Sequence, residues 1–591
     1  MTGTGPGIGA MRDPKVVLNN GDDIRVQIEK IGTLINTIGN EGREFDVIVV
    51  GSGCSGLTTA FVAAKHGLRV LVVEKTRWFG GTTAFSGGGA WIPANKHQPS
   101  IQIEDSTTEA DKYLRNVLGP LYSQDRIAAF LKSGPEMVEW MEAHSKVAFK
   151  PVPLPDYHVS TPGASVGRTL LTKEFDGRVL GKLIKDVRYP LQGLSAFGTM
   201  QVDPTALPKL TNPFGSIANL GYSIQIVSRY IRDLIAWGKG TAMANGNALV
   251  GRLLASLQRE GVQLWNNSAA LETILEHGRV TGLKVLHGGH TISLRVTKGV
   301  VLASGGFGRS PEAQEYLPHE WTASAPGSTG DGKRIGLQSG GALAPKNPMN
   351  GIFAPISLLK VPGKPIRRYP HFAIDRSKPG SLIVGPDGKR FENESAPYQE
   401  FVSTMDRKGI QEAFYIGDRT HLRKYGMGMA LPWPYPIWQL LRRGYLEHAP
   451  TISALADKIG VPRVNLERTI EQFNSFAATG NDLEYSRGGN AYDRFYGDSS
   501  VKPNPNLGAC QRGPFYALRI YPGNVSTLFG LATDVDAQVL DSKGHPIAGL
   551  YAVGCDQNSV FGGAYPGGGS SIGPGMTFGY RAGLSLVRSK Q

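Results

Sequence analysis

The stretch Phe45 to Glu74, FDVIVVGSGCSGLTTAFVAAKHGLRVLVVE, constrains this chain more than any other. Val47-Ile48-Val49-Val50 is an apolar run with the character of a buried parallel strand. Gly51, Gly53 and Gly56 follow as a GxGxxG turn. Leu57 to His66 predicts a small-residue helix, and Leu68 to Val73 a second buried strand ending in Glu74. In such a βαβ unit the first glycine permits the tight turn. The second lets the backbone approach a pyrophosphate, and the third lets helix and strand pack closely. The helix N-terminus then offers unpaired N–H groups and partial positive charge to the phosphates. Glu74 stands about 20 residues after the turn, where an acid accepts ribose hydroxyls. The unit predicts a dinucleotide site without separating FAD from NAD.

At 591 residues the chain exceeds a usual single core, so at least two domains are expected. The net charge of +14 has no block of consecutive basic residues behind it, and no zinc-finger or RNA-binding spacing accompanies it. No nucleic-acid partner is expected, and weak attraction to anionic lipid is compatible with the charge. Three cysteines, Cys54, Cys510 and Cys555, argue against a disulfide framework. No charged-then-apolar leader and no long apolar run stand in the sequence, which predicts a cytoplasmic protein with at most peripheral membrane contact. No metal site is expected.

The rest of the chain reads in order. Residues 1–44 form an N-terminal extension in which Asp23 to Ile38 predicts an amphipathic helix. Gly80-Gly81-Thr82-Thr83 and Ser86-Gly87-Gly88-Gly89 offer hydroxyls and free N–H groups to a ligand. Thr107 to His144 is helical in pattern. KPVPLPDYH presents Tyr157 on a proline-rich loop, and residues 160–240 read as irregular covering loops and short helices. Asn245 to Glu260 predicts a helix. Leu271 to Ile274, Val280 to Leu286 and Ile292 to Val296 predict a small antiparallel sheet. KGVVLASGGF is a further apolar strand running into Gly305. The character changes near Gly341 and again near Tyr521. Thr533 to Asp541 predicts a strand pair. Gly549 to Gly554 is a last buried strand followed by Asp556, and a glycine loop feeds a helix from about Ile572.

FDVIVVGSGCSG, GGTTAFSGGGAWIP, KGVVLASGGFGRSPE, SLIVGPDGKRFENESAPY, GLYAVGCDQNS and GGAYPGGGSSIGPGMTFGYRAG together resemble the fumarate reductase/succinate dehydrogenase flavoprotein superfamily. Within it they are similar to the 3-ketosteroid Δ1-dehydrogenases, over roughly residues 45 to 585. The resemblance implies FAD and an α/β fold. A Rossmann-like, glutathione-reductase-type FAD-binding domain (45–344 and 523–591) would carry an inserted α+β catalytic domain (345–522). It implies a cofactor site of Gly51, Ser52, Gly53, Ser55, Gly56, Glu74, Lys75, Gly81, Thr82, Thr83, Ser86, Gly87, Gly88, Gly305, Gly554, Asp556, Ser571 and Ile572.

The chemistry implied is removal of two hydrogens from C1 and C2 beside a C3 ketone, with hydride passing to flavin N5. Tyr565 and the Gly569 N–H would hold the ketone, Tyr398 would take the C2 proton, and Tyr157 would assist it. A phenol of ordinary pKa ~10 needs such help to act as a base. Tyr369, Tyr516 and Tyr580 are expected as core or wall. A steroid-like substrate and an external electron acceptor, a quinone or dioxygen, follow, since neither a heme-attachment motif nor an iron–sulfur cysteine cluster is present. Alternatives are a steroid Δ4-(5α)-dehydrogenase, a fumarate- or urocanate-type flavin reductase, and a non-catalytic flavin-binding protein.

Overall fold

The computed structural model describes residues 23–28, 32–37, 44–202, 209–210, 212–347 and 349–589. The GxGxxG unit lies at the centre of an eight-stranded sheet. Glu44–Val50 runs parallel to Val70–Val73, which runs parallel to Gln263–Trp265 at one edge. On the other side Glu44–Val50 pairs with His290–Leu302, and that strand pairs with Pro546–Ala552 from the far end of the chain. Alternation along the strands builds the core on both faces. Val47, Val49, Val70 and Val72 face the helices on one side. Ile48, Val50, Leu71 and Val73 pack with Val280, Leu294 and Leu550 on the other.

The turn helix is Cys54–Lys65, and the C-terminal helix Ile572–Arg588 lies against it. Gly579 and Gly583 make that approach possible. An added Cβ at either would lie 2.6 Å from Ser55 O or Val62 Cβ. The helix that follows the glycine turn and the C-terminal helix, far apart in sequence, therefore pack directly on one another.

A second sheet of four antiparallel strands, ordered Ser381–Val384, Ala413–Asp418, Phe515–Ile520 and Glu447–Ala449, carries the helices Tyr398–Arg407, Ile452–Ile459 and Arg463–Thr479. Its apolar side chains form cores of their own.

Several expectations need correction. Asp23 to Ile38 is not a helix: Asp23–Ile28 and Gly32–Thr37 pair as antiparallel strands. Ile24, Val26 and Ile28 alternate with polar residues, a period of two, and Gly32 interrupts any helical register. Ile292 to Val296 and the KGVVL strand are one strand, His290–Leu302, with a register shift between Val296 and Gly299 that carries it from the antiparallel meander into the parallel sheet. Only Gln538–Leu540 of the expected strand pair is a strand, joined to Thr533 by a single bridge at Val539. Residues 160–240 are not loops and short helices throughout, because Ile217–Trp237 is a helix of 21 residues.

Candidate active site

One cavity of about 1380 Å³ runs from the GxGxxG turn to Tyr398, at the start of the helix Tyr398–Arg407, and to residues 430–435. Every residue expected at the cofactor or the chemistry lines it except Gly56 and Asp556. Gly56 packs the turn instead, where an added Cβ would lie 2.7 Å from Gly51 O and 2.9 Å from Ala303 Cβ. Asp556 is 1% exposed and clasps the strand ends. Its carboxylate accepts from Ser304 N, from Ser304 Oγ at 3.0 Å and from Gly306 N at 3.0 Å. Burial pushes its pKa up to about 6. Asp556, counted above with the implied cofactor site, holds the strand ends and does not line the cavity.

The cradle fits an adenine dinucleotide. Gly51 has φ +106°, and a side chain there would overlap the Ala303 carbonyl. At Gly53 an added Cβ would meet nothing nearer than Thr83 Oγ1 at 3.6 Å, and at Gly87 nothing within 4 Å. Packing within the protein does not demand glycine at these two lining positions. Their bare backbone leaves room for a ligand to approach.

Glu74 is buried and takes Ser52 Oγ at 2.6 Å, Thr76 Oγ1 at 2.8 Å and Thr76 N at 2.9 Å. A carboxylate has about four acceptor positions, and these three bonds leave one for a further donor. Lys75 pairs with Asp331 and Thr329 beside it. Thr83 Oγ1 caps the first helix by accepting from Cys54 N at 3.0 Å, and Thr82 Oγ1 accepts from Ala325 N at 3.0 Å. Ser86 Oγ donates to Thr83 O at 2.8 Å and accepts from Gly88 N at 3.1 Å, which fixes the second glycine run.

At the far end of the cavity three tyrosines converge. The ring centroids of Tyr157 and Tyr398 are 5.7 Å apart, those of Tyr398 and Tyr565 5.7 Å, and those of Tyr157 and Tyr565 6.0 Å. Residues 157, 398 and 565 thus come from three distant stretches of chain into one buried cluster. Tyr398 opens the helix Tyr398–Arg407 after Pro397. The strand of charges before it is buried: Glu394 is fully enclosed and bonded to Arg390 at 2.8 Å and Arg487 at 3.1 Å. Arg376 holds the carbonyls of Glu394 and Ala396 at 2.6 and 3.0 Å. That network fixes the backbone that presents the Tyr398 ring.

Tyr157 and the loop of Tyr565 are tied together. Tyr157 N donates to Pro566 O at 3.0 Å, and Tyr113 Oη donates to the same oxygen at 2.7 Å. Asp156 accepts from Trp91 Nε1 at 2.8 Å and pairs with Arg168 at 2.7 Å, while Arg168 also pairs with Asp105 at 2.7 Å. Gly569 has φ +96°, and a side chain there would overlap the Gly89 carbonyl. Its own carbonyl accepts from Gly573 N at 2.9 Å and Trp91 N at 3.1 Å. The buried ion cluster yields a stability prediction. Arg168→Met leaves Asp105 and Asp156 buried without their cation, and removing one partner of such a cluster costs about 3–5 kcal/mol. Urea unfolding of the variant is expected to show that loss, and an unchanged midpoint contradicts it.

Burial raises the pKa of all three tyrosines. Tyr398 and Tyr157 stand well above the ordinary phenol value, through desolvation first and neighbouring phenols second, and Tyr565 is raised by desolvation. All three are neutral at pH 7. Any step that needs a tyrosinate is consequently starved of it, and its rate rises with pH, up to about tenfold per unit, until the governing pKa is reached. Turnover is expected to climb from pH 6 to 9. A flat or falling kcat profile contradicts a phenolic base.

Sequence reasoning missed much of the wall. Phe372 meets Tyr398 with ring centroids 4.9 Å apart, and Tyr492 meets Tyr157 at 5.0 Å. Tyr369 lines the cavity, and Tyr516 and Tyr580 do not. Among the described residues no cluster suited to a metal ion is found, and no helix is long and apolar enough to cross a membrane.

Residues 46–572 match the FAD binding domain family. The chain belongs to that family. Its cofactor is accordingly FAD, and the flavoprotein is similar to dehydrogenases along nearly its whole length. It is 36% identical over 577 residues to a 3-oxosteroid 1-dehydrogenase of Mycolicibacterium smegmatis, covering 92% of this chain and 98% of that one. It is also 36% identical over 559 residues to a 4-oxocyclohex-2-ene-1-carboxylate 5-dehydrogenase of Sinomonas cyclohexanicum, with 92% and 94% covered. Among solved structures, the 3-ketosteroid Δ1-dehydrogenase of Sterolibacterium denitrificans in complex with 1,4-androstadiene-3,17-dione superposes with a TM-score of 0.84 at 36% identity, covering 93% of this chain and all of that one. A 3-ketosteroid Δ4-(5α)-dehydrogenase of Rhodococcus jostii shares the fold, with a TM-score of 0.61 at 21% identity.

Proposed function

We propose that this flavoprotein introduces a C1–C2 double bond into a 3-ketosteroid or a related 3-keto triterpenoid. The observation that carries the reading is the meeting of Tyr157, Tyr398 and Tyr565 at one end of a single cavity whose other end is the dinucleotide cradle. FAD, when bound, supplies the acceptor for the hydride from C1. The Tyr565 hydroxyl and the Gly569 N–H polarise the C3 ketone, which acidifies the neighbouring C2–H. Tyr398 Oη, in its minor phenolate form, takes the C2 proton and becomes the neutral phenol, and Tyr157, packed edge-on against it, donates to the phenolate oxygen and so stabilises the charged form that reacts. The apolar wall of Phe372, Tyr369 and Leu191 excludes water from that proton transfer and accepts a fused-ring skeleton.

In this reading the cofactor domain comprises 45–344 and 523–591, and the inserted domain 345–522. Electrons leave by an external acceptor, a quinone or dioxygen, and any membrane contact is peripheral.

The similarity, at the same 36% identity, to a 4-oxocyclohex-2-ene-1-carboxylate dehydrogenase defines the rival substrate class. The apolar and aromatic lining beside the tyrosines, with Phe372, Tyr369 and Leu191, favours the steroid. The test compares kcat/KM for androst-4-ene-3,17-dione and 4-oxocyclohex-2-ene-1-carboxylate. The steroid is expected to be preferred by at least about 100-fold, from several buried methylenes at roughly 1 kcal/mol each. A preference for the carboxylate overturns the substrate class and leaves the chemistry standing.

A further inference from the structure

The cavity wall holds a cation that the proposed reaction does not use. Lys378 lines the cavity, and its Nζ donates to Gly497 O at 2.9 Å. An ammonium has three donors, so that bond leaves two. Among the described residues Lys378 has no carboxylate within ion-pair distance. Asp498, the acid whose field reaches it, is already taken. Its Oδ1 accepts from Ser500 N at 2.9 Å and from Ser500 Oγ at 2.6 Å. Its Oδ2 accepts from Tyr425 Oη at 2.6 Å and pairs with Lys424 Nζ at 2.6 Å. These contacts fill the about four acceptor positions of a carboxylate. Lys424 and Asp498 line the cavity too, so two cations there face one anion. Desolvation lowers the Lys378 pKa, Asp498 opposes the fall and Lys424 adds to it. Holding the 497–500 loop does not account for the charge, because a neutral donor would make the Gly497 bond without desolvating an ion.

A wall of rings sets the place of this charge. Tyr492 meets Tyr157 with centroids 5.0 Å apart, and Tyr496 meets Tyr492 at 5.3 Å. Both line the cavity and belong to the helix Ala491–Tyr496, which Gly497 follows. Two ring-to-ring steps thus lead from the tyrosine cluster to the loop that Lys378 holds. A fused four-ring nucleus with its C3 ketone at Tyr565 spans such a wall, and its C17 side chain then ends at Lys378. The carboxylate of a single-ring keto acid held by the same ketone falls short of it.

We propose that Lys378, with Lys424 beside it, binds a carboxylate at the end of the C17 side chain, so that the substrate is a 3-ketosteroid acid. The inference rests on the 3-ketosteroid reading above and narrows it. A carboxylate at this place pairs with the unmatched ammonium and accepts from its two remaining N–H groups.

The test uses the FAD-loaded full-length protein with 3-oxopregn-4-ene-20-carboxylate, its methyl ester and androst-4-ene-3,17-dione. The ester keeps the ring system and removes the charge. kcat/KM for the acid is expected to exceed that for the ester by about 10- to 100-fold, the worth of hydrogen bonds to a charged group. Most of the difference should lie in KM, because a contact remote from the reacting bond is the same in ground and transition state. In Lys378→Met the acid-to-ester ratio is expected to fall to about one. Lys378→Gln keeps a neutral donor for Gly497 O and should lose the same preference, which covers a Met variant that fails to fold. A lysine with a structural role alone would lower both rates together and leave the ratio intact. An ester turned over as well as the acid by the parent protein, or a ratio that survives both substitutions, overturns the proposal. Turnover of all three compounds without preference for the acid overturns this inference alone. Flavin that none of the three reduces overturns the 3-ketosteroid reading and the inference with it.

Discussion

Tyr398→Phe is expected to lower turnover of a 3-ketosteroid by about 1,000-fold while FAD content and ketone binding persist. General-base catalysis contributes typically 10²–10⁴-fold, and the substitution removes only the phenolic oxygen to which the proposal assigns the proton. The ring stays, packed against Phe372 and Tyr157, and the backbone that presents it is held by the Arg376, Arg390 and Arg487 contacts of the preceding segment. Rapid-mixing measurement of flavin reduction, alongside the flavin absorbance of the resting protein and a ligand titration, separates these effects. Near-normal reduction by the variant removes Tyr398 from the base role.

Tyr565→Phe is expected to cost about 100- to 1,000-fold, the usual loss when one donor to a developing oxyanion is removed. The mechanism assigns the loss to the transition state, so kcat should fall far more than KM rises. Tyr565 is 6% exposed and its Oη lies 3.4 Å from Ser571 Oγ at the start of the C-terminal helix. Loss of that long contact changes little of the fold, so thermal stability should stay near that of the parent. A variant with unchanged kcat and raised KM would make Tyr565 a binding wall, not part of the ketone hole.

The cofactor half of the molecule was legible in the sequence because its constraints are local. A strand, three glycines, a helix and an acid stand in order within thirty residues, and each has a steric reason to be what it is. The tyrosines were legible only through resemblance. Nothing near Tyr157, Tyr398 or Tyr565 in the chain announces that the three rings meet within 6.0 Å, because the meeting is a product of long-range packing. Asp556 illustrates the converse error. It follows a cofactor-type strand, as Glu74 does, yet the amides of Ser304 and Gly306 draw its carboxylate away from the cavity. The helix Ile217–Trp237 was missed for a physical reason too: glycine, serine and aromatic residues around it mask a stripe that turns outward, where no core demands it.

The measurement that bears most directly on the central claim is a single anaerobic turnover of the FAD-loaded protein with androst-4-ene-3,17-dione, followed by flavin absorbance and product identification. Bleaching of the flavin with one equivalent of the C1–C2 unsaturated ketone is the predicted result. Absence of bleaching with any 3-ketosteroid would contradict the account, and so would a new double bond at C4–C5 when the 5α-saturated analogue is supplied.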